Sequence, residues 1–401
     1  VRRALRHKHL VVTAGLPRAH SRFRDLAAAA GGPLDGPELE PENRPHRPQE
    51  GDSMHPQGKN PPEPKGFTLV EMLVVIVIIG ILAGLLMVAL GPARVAGRNT
   101  VIHAEIKQMD MALEQYRNEF GEIPPSFVDI NIVAERGGDQ ALQDVARDAV
   151  VRHLRKAFPR YTPGYMPNVD SRPDSDDFLK FANDVYYAYN GAIDPVNFDA
   201  ASSLVFWLGG LPEQLPAAGG QWIPAGFHTD PRMPFKRGTP RTKPPFDFVG
   251  DRVVVVEPHH STPWDASSPE VQRYLRYYPP NVKGAPYVYF KAHRRANNWQ
   301  YGAFDSSGAF IPAWYYHSLV GGDIDNIAVA YRDPQDPPFW RNYDTFQIIS
   351  AGLDGQFGST PPLNPTPVLR VTKTGENFSK GDYDNLANFT GEKRTLEDEI
   401  E

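Results

Sequence analysis

Cysteine is missing from all 401 residues, which excludes a disulfide framework, a thiol nucleophile and every Cys-based metal site. A domain exported to an oxidising compartment would have to be held by its core or by bound ions. Strong charge of one sign is missing too. The 42 Lys and Arg face 48 Asp and Glu, a net charge of −6, so nucleic acid is not expected as a partner. Catalytic motifs are equally scarce: there is no H-E-x-x-H, no G-x-S-x-G, no G-x-x-x-x-G-K-[ST] and no G-x-G-x-x-G after a strand. His259-His260 follow an apolar stretch, but neighbouring side chains on an extended chain point to opposite faces and do not share an ion. No enzyme is expected.

What the chain does have is one long apolar run, Phe67 to Leu90, broken by a single acid, Glu71. At 1.5 Å per residue the run makes about 36 Å of helix, enough for a hydrocarbon core of roughly 30 Å. A plain membrane anchor has no use for Glu71. An acid costs about 2.5–3.5 kcal/mol at the membrane centre, and less near the interface.

Lys65, Gly66 and the run F-T-L-V-E from Phe67 to Glu71 form a compound signal. From Gly66 to Glu71 it resembles, residue for residue, the G-F-T-L-x-E signal of type IV pilins and type II secretion pseudopilins. The resemblance implies cleavage between Gly66 and Phe67 by a prepilin peptidase on the cytoplasmic side, with methylation of the new Phe67 amine. It also implies that Glu71 pairs with the terminal amine of a neighbouring subunit, which would offset the cost of the buried carboxylate. The resemblance further implies that a chain keeping Glu71 is not an obligatory tip subunit, since large tip pseudopilins tend to lack that acid.

Residues 1–53 begin Arg-rich and continue as the Gly/Pro/Glu stretch GGPLDGPELEPENRPHRPQEGD, without apolar periodicity. They are expected to be a disordered extension outside the working protein, with the leader running from Met54 to Gly66. The remaining divisions are a transmembrane helix over 67–91, the outer half of the same helix over 92–121, a large domain over 122–390 and an acidic tail over 391–401. Lys59 and Lys65 before the helix are balanced by Arg94 and Arg98 after it, so charge alone does not orient it. The cleavage motif implies leader inside and C-terminal domain outside, periplasmic or extracellular.

Gly91-Pro92 is expected to kink or break the helix at the membrane edge. Helicity then resumes, with Val95, Ile102, Ile106, Met109, Leu113, Tyr116 and Phe120 on one stripe. Arg98, Glu105, Lys107, Glu114, Arg117 and Glu119 are read as the opposite, solvated face, and Gly121 and Pro124-Pro125 as the stop. The end of this helix resembles that of pseudopilins, with Tyr116, Gly121 and Pro124 in place and Ile123 where an aromatic is common.

Further helices are expected over 139–158, over 200–210 capped by Asp199, and over 269–278 after Ser268. Residues 211–248 read as a Pro/Gly-rich loop. Strands are expected at 252–257, 286–292, 326–331, 345–351 and 367–371. A long helix followed by strands is an α+β order, here a pilin-like fold with the helix packed on an antiparallel sheet and a large inserted helical and loop region. The aromatic run Trp314-Tyr315-Tyr316-His317 is expected to pack in the core or an interface rather than to hold a sugar.

Near the C-terminus, DTFQIISAGLDGQFG (344–358) and GDYDNLANF (381–389) resemble the last strand and calcium loop of the major type II secretion pseudopilin. The insertion between them is longer here. The resemblance implies calcium held by Asp354, Asp382, Asp384 and Asn385, with Asn388-Phe389 closing the stretch, since calcium takes about six to eight oxygens. Gly322-Asp323-Ile324-Asp325-Asn326 echoes the same pattern.

The function so implied is mechanical. A single-pass subunit waits in the bacterial inner membrane, then joins other pilin or pseudopilin subunits on an inner-membrane assembly platform to form a type II secretion pseudopilus. A type IV pilus subunit for adhesion or uptake, and a membrane-tethered binding module, are the alternatives.

Overall fold

The computed structural model describes residues 66–127, 140–165, 176–191, 193–213, 223–256, 274–280, 282, 284–295, 298–304, 310–320, 323–334, 340–359, 369–391 and 395–400. All its helices and strands lie within Leu69–Glu401. The architecture is α+β, a long N-terminal apolar helix followed by mainly antiparallel strands.

Helix α1, Leu69–Phe120, runs unbroken through Pro92. Proline removes one rung of the hydrogen-bond ladder, but strong helical patterning on both sides carries the helix across, so the expected break is absent. Beyond the proline, Ile102, Ile106, Met109, Leu113 and Tyr116 are buried as their spacing requires, and Phe120 packs at the edge of the core. Val95 is half exposed, so the stripe begins only at Asn99 and Ile102. Gly121 ends the helix with φ +77, its N–H bonding to the Arg117 carbonyl at 2.7 Å.

The exit turn of α1 is bolted down. The Trp207 indole donates to the Pro125 carbonyl at 2.8 Å, the Tyr289 hydroxyl to the Pro124 carbonyl at 2.5 Å, and the Phe127 N–H to Ser203 Oγ at 2.9 Å. Helices α2 (Gln140–Ala157), α3 (Asp177–Ala188) and α4 (Ala200–Gly209) follow. The first and last were expected and the middle one was not. Asp199 caps α4 through the N–H groups of Ala201 and Ser202, and Gly210 closes it with φ +68.

Strands β1 (Val253–Val256) and β2 (Tyr274–Tyr277) pair antiparallel. The helix expected over 269–278 is therefore a strand in its described part. Tertiary contacts override local pattern there: Leu275 and Tyr277 are buried, and Arg276 reaches Asp199 at the head of α4 at 2.5 Å. Residues 257–273, with His259-His260, lie outside the described set.

The central unit is a three-stranded antiparallel sheet. Its middle strand is β11 (Phe346–Ser350), flanked by β3 (Val288–Lys291) and β13 (Leu386–Ala387). The outer half of α1 lies against β11, β13 and α4. Instead of one broad sheet, the other described strands form two-stranded pairs, with β4 (His293–Arg295) beside β5 (Asn298–Gln300) and β6 (Gly302–Phe304) beside β7 (Phe310–Pro312). Among them, β8 (Trp314–Val320) pairs with β9 (Asp323–Val329), and β10 (Tyr331–Arg332) pairs parallel with β12 (Arg370–Val371). The aromatic run 314–317 falls on β8, and its side chains lie outside the described set.

Without disulfides, the core is aromatic. Phe127, Phe178, Phe181, Phe198, Phe206, Trp207, Phe227 and Phe235 stack edge-to-face and offset around α4. Each fully buried large side chain contributes about 1.5–3 kcal/mol. A second cluster, alanines and branched residues interleaved with Phe290, Tyr301, Tyr331, Trp340 and Phe357, fills the space around Val288, Ile349 and Leu396.

Candidate functional site

The first candidate is the N-terminal segment. Gly66 is exposed, and a Cβ placed on it would meet nothing within 4 Å. Packing gives no reason for a glycine there. Phe67 is 78% exposed. Within α1, Glu71 stands exposed in the first turn, where the helix dipole favours an acid. The Thr68-x-x-Glu71 spacing is also that of a capping box. From Leu69 to Leu90 the apolar side chains are exposed on every side. A helix apolar all round and exposed over this whole length requires lipid or other helices. The length and composition of α1 fit a membrane-anchored protein.

The second candidate is the loop pair after β11. Gly352 turns the chain with φ +62, and a Cβ there would lie 2.0 Å from the Asp384 carbonyl oxygen, so only glycine permits the close approach. Across that turn Asp384 Oδ2 accepts the N–H groups of Leu353 at 2.5 Å and Asp354 at 2.9 Å. Asp354 Oδ1 accepts the Gln356 N–H at 2.8 Å. Although Asp354 stands at the surface, partial desolvation in the turn, together with the nearby Asp384 and Asp382 charges, pushes its carboxyl up. Asp382 is wholly buried. Its Oδ1 takes Arg370 Nε and the Tyr331 hydroxyl, both at 2.9 Å, and its Oδ2 takes Ser379 N and Oγ, both at 2.8 Å. Asn385 donates through Nδ2 to Tyr331 and to the Phe357 carbonyl, while its buried Oδ1 has no partner among the described residues.

These four residues are near one another, but Asp382 turns no free oxygen outward. A calcium ligand must do so, and here both oxygens of Asp382 are taken from within the chain, while Asp384 and Asp354 each give one oxygen to backbone N–H groups. Among the described residues no group of three or more His, Cys, Asp or Glu could hold a metal. Asn388 does close the stretch, but as a stitch. Its Nδ2 donates to Asp110 of α1 at 3.0 Å and its Oδ1 accepts from Ile348 N. Lys107 and His103, one and two turns back along α1, bond the carbonyls of Asn388 and Thr390.

Two polar clusters on α1 escaped the sequence reading. Glu105, placed on the solvated face, is mostly buried. It receives Arg252 at 2.5 and 2.8 Å and the hydroxyls of Tyr277 and Tyr287, both at 2.7 Å. At the end of α1, Glu122 Oε1 sits 2.7 Å from His153 Nδ1, and His153 Nε2 sits 2.8 Å from the Tyr116 hydroxyl. A carboxylate only accepts, so Nδ1–H donates to it, and the neutral ring accepts from Tyr116. Tyr116 and His153 are each 1% exposed, which gives substrate no access and makes the relay structural.

The relay predicts a pH dependence. Burial pulls the His153 imidazole below its ordinary 6.5, against the opposing pull of Glu122. The His153 hydrogen bond holds Glu122 down to about 2 from 4.5. Both values are lower folded than unfolded, so the unfolded chain binds more protons in acid and stability is lost as the pH is lowered. The melting temperature of the full chain in detergent is expected to decline from about pH 6.5 downward, with a second loss below about 4.5. His153→Gln should remove the first decline. An unchanged slope in that variant would assign the acid sensitivity elsewhere.

Residues 64–87 match the prokaryotic N-terminal methylation motif, the signature of type IV pilins and pseudopilins. No characterised protein and no solved structure matches the chain.

Proposed function

We propose that this protein is a structural subunit of a type II secretion pseudopilus. A prepilin peptidase cuts between Gly66 and Phe67 and methylates the Phe67 amine. The assembly platform of the inner membrane then draws the apolar part of α1 into a helical bundle with other pilin or pseudopilin subunits, and the folded domain faces the periplasm. One observation carries this reading. The methylation motif sits on an exposed glycine that packing does not require, directly ahead of a helix apolar on all sides. A type IV pilus subunit shares this front end and differs only in its task.

Mass spectrometry of the native protein is expected to find an N-terminal N-methyl-Phe67. Gene disruption should trap otherwise secreted proteins in the periplasm while surface pili persist. An N-terminus just after Ala83 or Ala89 would mean a conventional signal peptide and overturn the filament reading. Normal secretion with lost surface pili would move the protein to the pilus.

A further inference from the structure

The acidic loops near the C-terminus enclose a cation that belongs to the chain itself. Arg370 is 1% exposed and Asp382 is fully buried, and Arg370 reaches three segments at once. Its Nε meets Asp382 at 2.9 Å in the 379–385 loop, its Nη1 donates to the Ile327 carbonyl of β9 at 2.6 Å, and its Nη2 points at the Ser359 carbonyl at a longer 3.5 Å. We infer that the Arg370 guanidinium is the resident cation of this region, doing the work of a bound ion, and that the C-terminal segment is ordered without calcium.

Three observations converge on this. A guanidinium offers five donors in a fixed plane and never loses its charge, so it can bridge a carboxylate and two carbonyls from separate segments as an ion would. Space beside the carboxylate is already filled: a Cβ on Gly358 would lie 2.4 Å from Asp382 Oδ2, 2.6 Å from Ser379 Oγ and 2.8 Å from Arg370 Nη2. Calcium with its shell of oxygens at about 2.3–2.6 Å needs far more room than one methyl carbon. Finally, the surroundings of Asp382 are built for an anion neutralised from within. Tyr331 and Ser379 supply its remaining donors, and Tyr331 is itself held by Asn385.

The test is thermal unfolding of the full chain in detergent, with millimolar calcium or with chelator, for wild type and two variants. Wild type is expected to melt at the same temperature in both. Arg370→Gln strands a buried carboxylate and should lower the melting temperature by roughly 6–20 °C. Arg370→Met combined with Asp382→Leu removes both charges and should recover much of that loss. A wild-type melting temperature that rises with calcium would overturn the inference. So would Arg370→Gln melting like wild type, or a double variant no better than Arg370→Gln. Should Arg370→Gln not fold, the double variant and the wild-type calcium comparison still decide the matter.

Discussion

Gly66→Leu is expected to leave the protein uncleaved in the membrane, as a precursor that never joins a filament. The argument starts from what the substitution does not do. A Cβ at Gly66 meets nothing within 4 Å, and no described helix or strand begins before Leu69, so folding and membrane insertion should be unaffected. The effect must then arise where a peptidase grips the residue before the scissile bond. A pocket shaped for a hydrogen atom loses about 10–200-fold for each surplus methylene. Leucine adds four carbons, so cleavage should fall by more than about 100-fold. Gly66→Ala adds one carbon and should be cut slowly rather than not at all. The readout is the N-terminus by mass spectrometry alongside the size of the membrane-bound species. N-methyl-Phe67 at wild-type abundance in Gly66→Leu would show that Gly66 is not read by the processing enzyme.

Legibility differed along the chain for physical reasons. The apolar run and the 3–4 spacing from Ile102 to Tyr116 announce α1, because a helix in lipid and then against a sheet must show both patterns. Glu105 was misplaced because helical phase alone cannot foresee a buried counter-charge arriving from Arg252, far along the chain. Asp199 was legible as a cap from its local neighbours. Its second duty, holding Arg276 of β2, was not, and without that pairing YLRY could be read as helix. The short strands between His293 and Pro312 carry too few residues for an alternation to register. At the candidate site, the acids and the Gly352 turn were visible as a cluster. Their partner, Arg370, lies within the insertion, and only the fold brings it to Asp382.

Glu71→Ala is expected to insert and be cleaved normally yet fail to enter filaments, and a companion variant, Glu71→Gln, tells why. Two accounts of Glu71 compete. In the first, the acid is part of the helix start: it stands in the first turn of α1 at capping-box spacing from Thr68, a role worth about 0.5–2 kcal/mol. In the second, its charge meets the Phe67 amine of a neighbouring subunit once both lie in hydrocarbon. The energies favour the second account. A lone carboxylate near the apolar core costs about 2.5–3.5 kcal/mol at its deepest, more than a cap returns, whereas an ion pair in that medium is strong because no water screens it. Glutamine separates the two, since it keeps the acceptor oxygen that a capping box uses but carries no charge. Glu71→Gln is therefore expected to be excluded from filaments as fully as Glu71→Ala, with both variants still showing N-methyl-Phe67. Quantifying processed subunit in sheared filaments against the membrane pool gives the comparison. Incorporation of Glu71→Gln at the wild-type level, with Glu71→Ala excluded, would reduce the acid to a cap. Wild-type incorporation of both would remove it from assembly altogether.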